Sequence, residues 1–287
     1  MAFQVNRLGE CFAAEIVGID LAQPLSDGEF AAVRDAWFEA GVVVFRDQRL
    51  SPARQVGFSR RFGEPIVHVM SQFLLPGHPE ILLISNRKHP DGTPMGFEDA
   101  GRYWHSDVSY DERPALGSHL YAVEIPPEGG DTLFADMRHA LRTLPDDLRR
   151  RIDGRRARHS YTRNWRRNET VEGGRPAVSA QQRDRLRDIS HPMVRRNEDT
   201  GEEALFVNPG FTFAVEDMDD DGSDALLSAL FEHSTREPFL YTHAWRPRDL
   251  LCWDNRTVMH RATIYDTAHT RHMHRTTIAG GRPVQAA

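Results

Sequence analysis

Apolar and polar positions alternate along this chain in short stretches of two different periods. Residues 12–19 are apolar and β-rich and predict a strand. Ser26-Asp27-Gly28-Glu29 then forms a capping box, and Phe30, Val33 and Trp37 follow at helical spacing until Gly41 stops the helix. Val42-Val43-Val44-Phe45 predicts a buried strand. Ser51-Pro52, an N-cap with proline in the first turn, opens a second helix running to about Phe62. Further strands are predicted over 81–85, around His105, and over 116–125, 191–194, 204–207, 239–245, 250–253 and 272–279. Residues 137–153 predict one helix that buries Leu141, Leu144, Leu148 and Ile152, and 223–233 predict another behind an acidic run, 216–221, that reads as a solvated face. Residues 89–101 and 126–130 are turn-rich connections. The polar stretch 161–190 reads equally as a solvated loop or as a lid. Many short strands with turn signals between them predict a mainly β barrel or sandwich with helices packed outside. Without repeats, low-complexity segments or linkers, residues 1–287 read as one domain.

Composition narrows this picture only a little. With 39% hydrophobic and 27% charged residues the chain reads as a soluble globular protein, and a net charge of −6 argues against a general nucleic-acid or anionic-membrane binder. Arginine greatly outnumbers lysine, and its planar fork suits carboxylate, phosphate or sulfonate recognition, although a GC-rich genome gives the same bias. Cys11 and Cys252 make no disulfide framework, and the N-terminus lacks the basic and apolar regions of a signal peptide. No apolar run approaches the ~20 residues that span a bilayer. The expectation is a cytoplasmic protein.

Candidate chemistry centres on Tyr103-Trp104-His105-Ser106-Asp107-Val108-Ser109-Tyr110. On a strand, His105 and Asp107 would project from one face. An imidazole and a carboxylate are two parts of the 2-His-1-carboxylate triad that holds non-haem Fe(II) with open positions. His-x-Asp alone is a weak signal in a chain with 14 histidines. His260, inside Trp253-Asp254-Asn255-Arg256-Thr257-Val258-Met259-His260, supplies a second imidazole, and Arg271 and Arg275 follow it. Placed four apart on a strand, the two arginines share a face and permit a common anion site. His269, His272 and His274 read as structural or surface residues, since three protein ligands suffice.

Taken in order, Phe45-Arg46-Asp47-Gln48, Phe58-Ser59-Arg60-Arg61-Phe62-Gly63, Trp104-His105-Ser106-Asp107, Gly129-Gly130-Asp131-Thr132, Phe206-Val207-Asn208, Trp253-Asp254-Asn255-Arg256 and Met273-His274-Arg275 make the chain resemble one family. It is the taurine dioxygenase and phenoxyacetate-herbicide dioxygenase family of Fe(II)/2-oxoglutarate enzymes, and the resemblance runs from about residue 12 to about 283. It implies a double-stranded β-helix (jelly-roll, cupin-like) core with flanking helices. It implies Fe(II) on His105, Asp107 and His260, with 2-oxoglutarate and O2 as cosubstrates. Thr132 and Arg271 match the pair that grips the distal carboxylate of 2-oxoglutarate, a task suited to a guanidinium beside a hydroxyl. Arg275 matches the arginine that meets the acidic group of the primary substrate, with some contact to the 2-oxoglutarate end. His68, Val108, Trp165 and Phe211 match substrate-pocket residues.

The resemblance also implies succinate and CO2 as coproducts and a homo-oligomer, dimer or tetramer. Asp107 stands where halogenating relatives carry a small residue, so hydroxylation is the implied outcome. Ser71 and Gly101 replace larger contacts of the taurine enzyme, and Trp165 is larger than its counterpart, so the substrate reads as a small anion other than taurine. Two rivals stand beside this reading. His2Asp also suits a zinc hydrolase, although Thr132 and Arg271 would then have no purpose. A non-catalytic binding protein on the same fold is the other.

Overall fold

The computed structural model describes residues 3–8, 10, 12–98, 101–163 and 186–286. Trp165, Cys11 and most of the stretch 161–190 lie outside the described residues, so the lid expectation falls there too.

The first third alternates as the sequence predicts. Strands β1 (Gln4–Arg7) and β2 (Ala14–Val17) precede helix α1 (Asp27–Ala40). The capping box of α1 is formed: Ser26 Oγ accepts from the Glu29 backbone N–H (3.3 Å), and the Glu29 carboxylate accepts from the Ser26 N–H (2.9 Å). Gly41 ends α1 at φ 69°, and a Cβ there would meet Arg138, Thr257 and Val258, each at 3.3 Å. Next come β3 (Val42–Phe45) and α2 (Pro52–Arg60), whose N-cap Ser51 accepts from Arg54 N–H. Then follow β4 (Leu74–Leu75), β5 (His78–Ser85), β6 (Gly117–Glu124) and β7 (Thr132–Asp136).

The predicted helix over 137–153 is two helices, α3 (Met137–Arg142) and α4 (Asp146–Ile152). Pro145 is the N-cap of α4, and the residue before a proline is kept out of the helical region, so the chain must break at Thr143 and Leu144. The apolar spacing still points inward: Leu141, Leu144 and Ile152 are buried.

Short strands β8 (Arg156–His159), β9 (Ile189–Pro192), β10 (Val194–Arg196), β11 (Glu203–Leu205) and β12 (Thr212–Val215) lead to α5 (Asp220–Ser234). The acidic run in front of α5 does more than face solvent: the Asp219 carboxylate accepts from Gly222 N–H (2.7 Å), and Asp220 and Asp221 sit in the first turn against the helix dipole. β13 (Leu240–His243), β14 (Leu250–Asp254), β15 (Val258–Ala262), β16 (His272–Ile278) and β17 (Val284–Gln285) complete the described elements.

Eight strands form one sheet in the order β1-β2-β3-β14-β6-β16-β5-β4, and β13-β7-β15 form a second. The two enclose a jelly-roll core of Val42, Val44, Leu120, Phe134, Leu251, Trp253 and Met273. Intervening residues on the same strands, Val43, Phe45, Tyr121, Leu250 and Cys252, pack on the other side with Val33 and Trp37 of α1 and Phe58 of α2. Both faces of these central strands are therefore buried, which explains their continuous apolar runs.

Immediately after β14 the chain buries an ion pair. Arg256 donates to both oxygens of Asp254 (2.9 and 2.8 Å) and to Asp199 (2.6 Å), with 4% of its side chain exposed and none of that of Asp254. Removing the guanidinium leaves a buried carboxylate uncompensated. Arg256→Ala is therefore expected to lower the unfolding free energy by about 3–5 kcal/mol, read by urea denaturation.

Several buried histidines set the pH response. Burial pushes His119 down to about 3 and His191 to about 4, and burial with nearby His191 keeps His159 well below the usual imidazole range. Unfolded, each binds a proton near pH 6.5, so the unfolded state binds more protons below that value. Stability is full above pH 6.5 and falls toward pH 4, each group contributing a slope of up to about 1.4 kcal/mol per pH unit. Denaturation midpoints at pH 7.5 and pH 5 should show the lower value at pH 5.

Candidate active site

His105 and Asp107 do not share a strand. His105 makes an isolated two-residue bridge with His260: His105 N–H donates to His260 O (3.0 Å), and His260 N–H donates to His105 O (2.8 Å). Beyond the bridge the chain turns, with Asp111 N–H donating to Val108 O (2.9 Å) and Val108 at φ 58°, a strained value for a β-branched residue. The turn returns Asp107 to the imidazole side. One Asp107 oxygen lies 3.7 Å from His105 Nε2 and the other 3.9 Å from His260 Nε2. One ligand atom from each of the three buried side chains falls within 4.8 Å of the others.

The surroundings prepare these atoms to hold a cation. The Tyr103 carbonyl lies 2.9 Å from His105 Nδ1 and can only accept, so Nδ1 carries the proton and Nε2 presents its lone pair. Burial and neighbouring His105 keep His260 well below the usual imidazole range, hence neutral at pH 7. Burial opposes ionisation of Asp107, but the Arg275 guanidinium beside it holds the carboxyl well below its ordinary value. Ser118 Oγ donates to one Asp107 oxygen (2.6 Å) and Arg275 to the other (3.1 Å).

Asn255 is the hub behind this carboxylate. Its side-chain oxygen accepts from Asp107 N–H (3.3 Å) and the Trp253 indole (3.0 Å), and its amide donates to Ser118 Oγ (3.2 Å). Neither Ser118 nor a role for Asn255 emerges from sequence reasoning; the Trp-Asp-Asn-Arg motif was the available signal for Asn255, and nothing local marks Ser118.

His105 and His260 form one wall of a cavity that Thr132, Trp253, Arg271 and Arg275 also line. Arg271 immediately precedes β16 and points inward with Met273 and Arg275, as their shared face requires. His272 turns the other way, to Ser85 Oγ (2.9 Å), His274 shares its face, and His269 is exposed; none joins the triad. The Arg271 guanidinium is buried; among the described residues its side-chain hydrogen bonds go only to Gly130 O (3.3 and 3.2 Å), and no carboxylate lies within ion-pair reach. Burial lowers it to about 10, so it remains cationic at neutral pH. A buried cation without an ion-pair partner among the described residues, lining a cavity that both imidazoles also line, fits a molecule with a chelating end and a distal carboxylate. 2-Oxoglutarate has both.

The remaining candidates gather nearby. Arg275 Nε is buried without a hydrogen-bond partner among the described residues. His68 Nδ1 accepts from Met70 N–H (3.2 Å), which places the ring proton on Nε2; burial and Arg275, partly offset by Asp107, push this imidazole down to about 4. The Phe211 ring stands edge-on to His105 (6.0 Å) and against Tyr110 (4.8 Å), and Val108 follows Asp107 directly. Ser71 is exposed in a single 3-10 turn. Gly101 is required on two counts: its φ is +76°, and a Cβ there would stand 2.9 Å from His105 Cε1.

A jelly roll with a His2Asp triad, whose imidazoles line a cavity together with a buried guanidinium that has no acidic partner among the described residues, defines a metal- and 2-oxo-acid-dependent oxygenase. The chain belongs to the taurine catabolism dioxygenase TauD, TfdA family, whose model matches residues 4–277. It is 35% identical over 286 residues to the alpha-ketoglutarate-dependent 2,4-dichlorophenoxyacetate dioxygenase of Cupriavidus pinatubonensis, covering 96% of this chain and 98% of that protein. It is 32% identical to the pentalenolactone F synthase of Streptomyces avermitilis, covering 94% and 92%. A solved taurine dioxygenase from Burkholderia xenovorans aligns with a TM-score of 0.83 at 32% identity, over 99% of this chain and 92% of that one. The chain is thus a 2-oxoglutarate-dependent dioxygenase working with Fe(II) and O2. The zinc-hydrolase and binding-protein alternatives do not fit these relatives. No helix among the described residues is long and apolar enough to cross a membrane.

Proposed function

We propose that this enzyme hydroxylates a small organic carboxylate, sulfonate or sulfate, with His105, Asp107 and His260 holding Fe(II) and Thr132 and Arg271 gripping the distal carboxylate of 2-oxoglutarate. The observation that carries the reading is the buried Arg271 guanidinium, without an acidic partner among the described residues, lining the same cavity as the imidazoles. Arg275 and the Nε2–H of His68 receive the substrate's anionic group, while Val108, Phe211 and Trp165 shape the rest of its pocket. Bound Fe(II), with 2-oxoglutarate and O2, supplies the oxidising power that takes a hydrogen atom from a substrate C–H as the cosubstrate becomes succinate and CO2. The protein's own part is to hold that C–H in place and exclude water. It needs no general acid or base.

Hydroxylation beside a heteroatom would lead to cleavage, and elsewhere to a stable alcohol. We further read residues 1–287 as one domain, acting in the cytoplasm as a dimer or tetramer. The names of the relatives, which include an aryloxy carboxylate and a sulfonate, support an anionic substrate.

The test is anaerobic addition of Fe(II) and 2-oxoglutarate to metal-free protein, watching for the visible metal-to-ligand charge-transfer band, followed by aerobic succinate release with aryloxyacetates, alkanesulfonates and alkyl sulfates. A band and substrate-coupled succinate from at least one class are expected. A protein that forms no band and releases no succinate above the uncoupled background overturns the reading.

A further inference from the structure

The clamp for the distal carboxylate contains a residue that matches none of the family's site positions identified above. Trp245, just after β13, donates its indole N–H to Thr132 Oγ1 at 3.0 Å, across 113 residues of sequence. Among the described residues this indole is the one hydrogen-bond partner of that oxygen, and Thr132 is 3% exposed. An indole nitrogen is a donor only, whereas a threonine hydroxyl has one proton and two lone pairs. The Thr132 hydroxyl must therefore accept from Trp245, and its own proton is turned away from the indole.

The indole is itself held. The His243 ring meets it edge to face at 4.5 Å and 88°. The Nε2 of His243 lies 3.2 Å from Asp249, which also pairs with Arg46. Arg271, the other cosubstrate contact, is likewise donor-only.

We propose that Trp245 is a positioning residue that fixes the Thr132 hydroxyl as a donor into the cavity, so that Thr132 and Arg271 together form a donor-only receptor for the distal carboxylate of 2-oxoglutarate. The inference rests on the assignment of Thr132 and Arg271 to that carboxylate. Such a receptor selects an ionised carboxylate. An amide still offers its carbonyl oxygen but sets its N–H against a donor, and a methyl group leaves both donors unsatisfied.

The test is calorimetric titration of the Fe(II)-loaded protein under anaerobic conditions with three 2-oxo acids: 2-oxoglutarate, its 5-amide 2-oxoglutaramate, and 2-oxopentanoate, which ends in a methyl group. In Trp245→Phe the dissociation constant for 2-oxoglutarate should rise about three- to tenfold, while that for 2-oxopentanoate stays the same. Thr132→Ser should bind like wild type, and Trp245→Phe added to Thr132→Val should cost little beyond Thr132→Val alone.

Equal weakening of 2-oxoglutarate and 2-oxopentanoate in Trp245→Phe makes Trp245 a packing residue and overturns the proposal. So does an unchanged 2-oxoglutarate constant. A normal 2-oxoglutarate constant in Thr132→Val removes the underlying assignment instead, and the proposal with it. A further arm needs no change at Trp245: wild type should bind the amide much more weakly than 2-oxoglutarate, and an amide bound as tightly as 2-oxoglutarate shows a hydroxyl free to accept and overturns the proposal.

Discussion

Asp107→Asn is expected to abolish measurable turnover and to weaken Fe(II) binding by more than about 100-fold, the upper end of the loss seen when only a supporting partner of a metal ligand is disturbed. The substitution keeps the shape of the side chain and removes its charge. Asp107 supplies the one anionic atom among the three facing groups, and its carboxyl is held ionised against burial by the Arg275 guanidinium. With asparagine the two histidines remain, but the site loses the charge that favours a divalent cation over water. Arg275, 3.1 Å from Asp107, also loses its ion-pair partner. Anaerobic Fe(II) titration, the charge-transfer band and succinate release are the readouts, with a thermal melt of the metal-free protein to show that the fold survives. A variant with a wild-type band at equal iron would remove Asp107 from the coordination sphere.

Arg271→Leu is expected to raise the 2-oxoglutarate dissociation constant by at least about 30-fold, the low end of the cost of truncating one partner of a buried, hydrogen-bonded charge pair. Arg271→Lys should recover only part of this, because an ammonium lacks the planar fork that meets both carboxylate oxygens. Metal binding should be little changed, since Arg271 is not among the groups facing the cation site. The comparison of interest is with 2-oxopentanoate: having no distal carboxylate, it should lose much less affinity than 2-oxoglutarate. Equal losses would mean that Arg271 supports the cavity wall without contacting the cosubstrate. A constant within twofold of wild type would mean that the buried guanidinium serves another anion.

The pairing of structure with sequence is uneven along the chain, for identifiable reasons. Where an element is decided by its neighbours in sequence, the reading is sound. The Ser26–Glu29 capping box, the αL stop at Gly41 and the N-cap Ser51 are contacts over three or four residues, and each is formed as the pattern predicts. The break between α3 and α4 was equally local. Pro145 forbids a continuous helix, but apolar spacing on either side of it masks the break because Leu141, Leu144 and Ile152 are buried in both arrangements.

For the site, residue types in their motifs point to the chemistry. His105, Asp107, His260, Thr132, Arg271 and Arg275 are all legible as residue types in motifs, and the alternation of β16 places Arg271 and Arg275 on one face. How they meet was a tertiary matter. His105 and Asp107 face one space because a two-residue bridge to His260 ends at His105 and a turn through Val108 at positive φ brings the carboxylate back. Strand alternation would have reached the same face by a different backbone. The contacts that orient the reacting groups were not legible, even where a motif contained the residue: Asn255 reaches Asp107 across 148 residues, and Trp245 reaches Thr132 across 113. Side-chain chemistry is written residue by residue, whereas a hydrogen bond between distant strands exists only once two sheets have closed on a common core. Its geometry belongs to that packing and to no stretch of the chain alone.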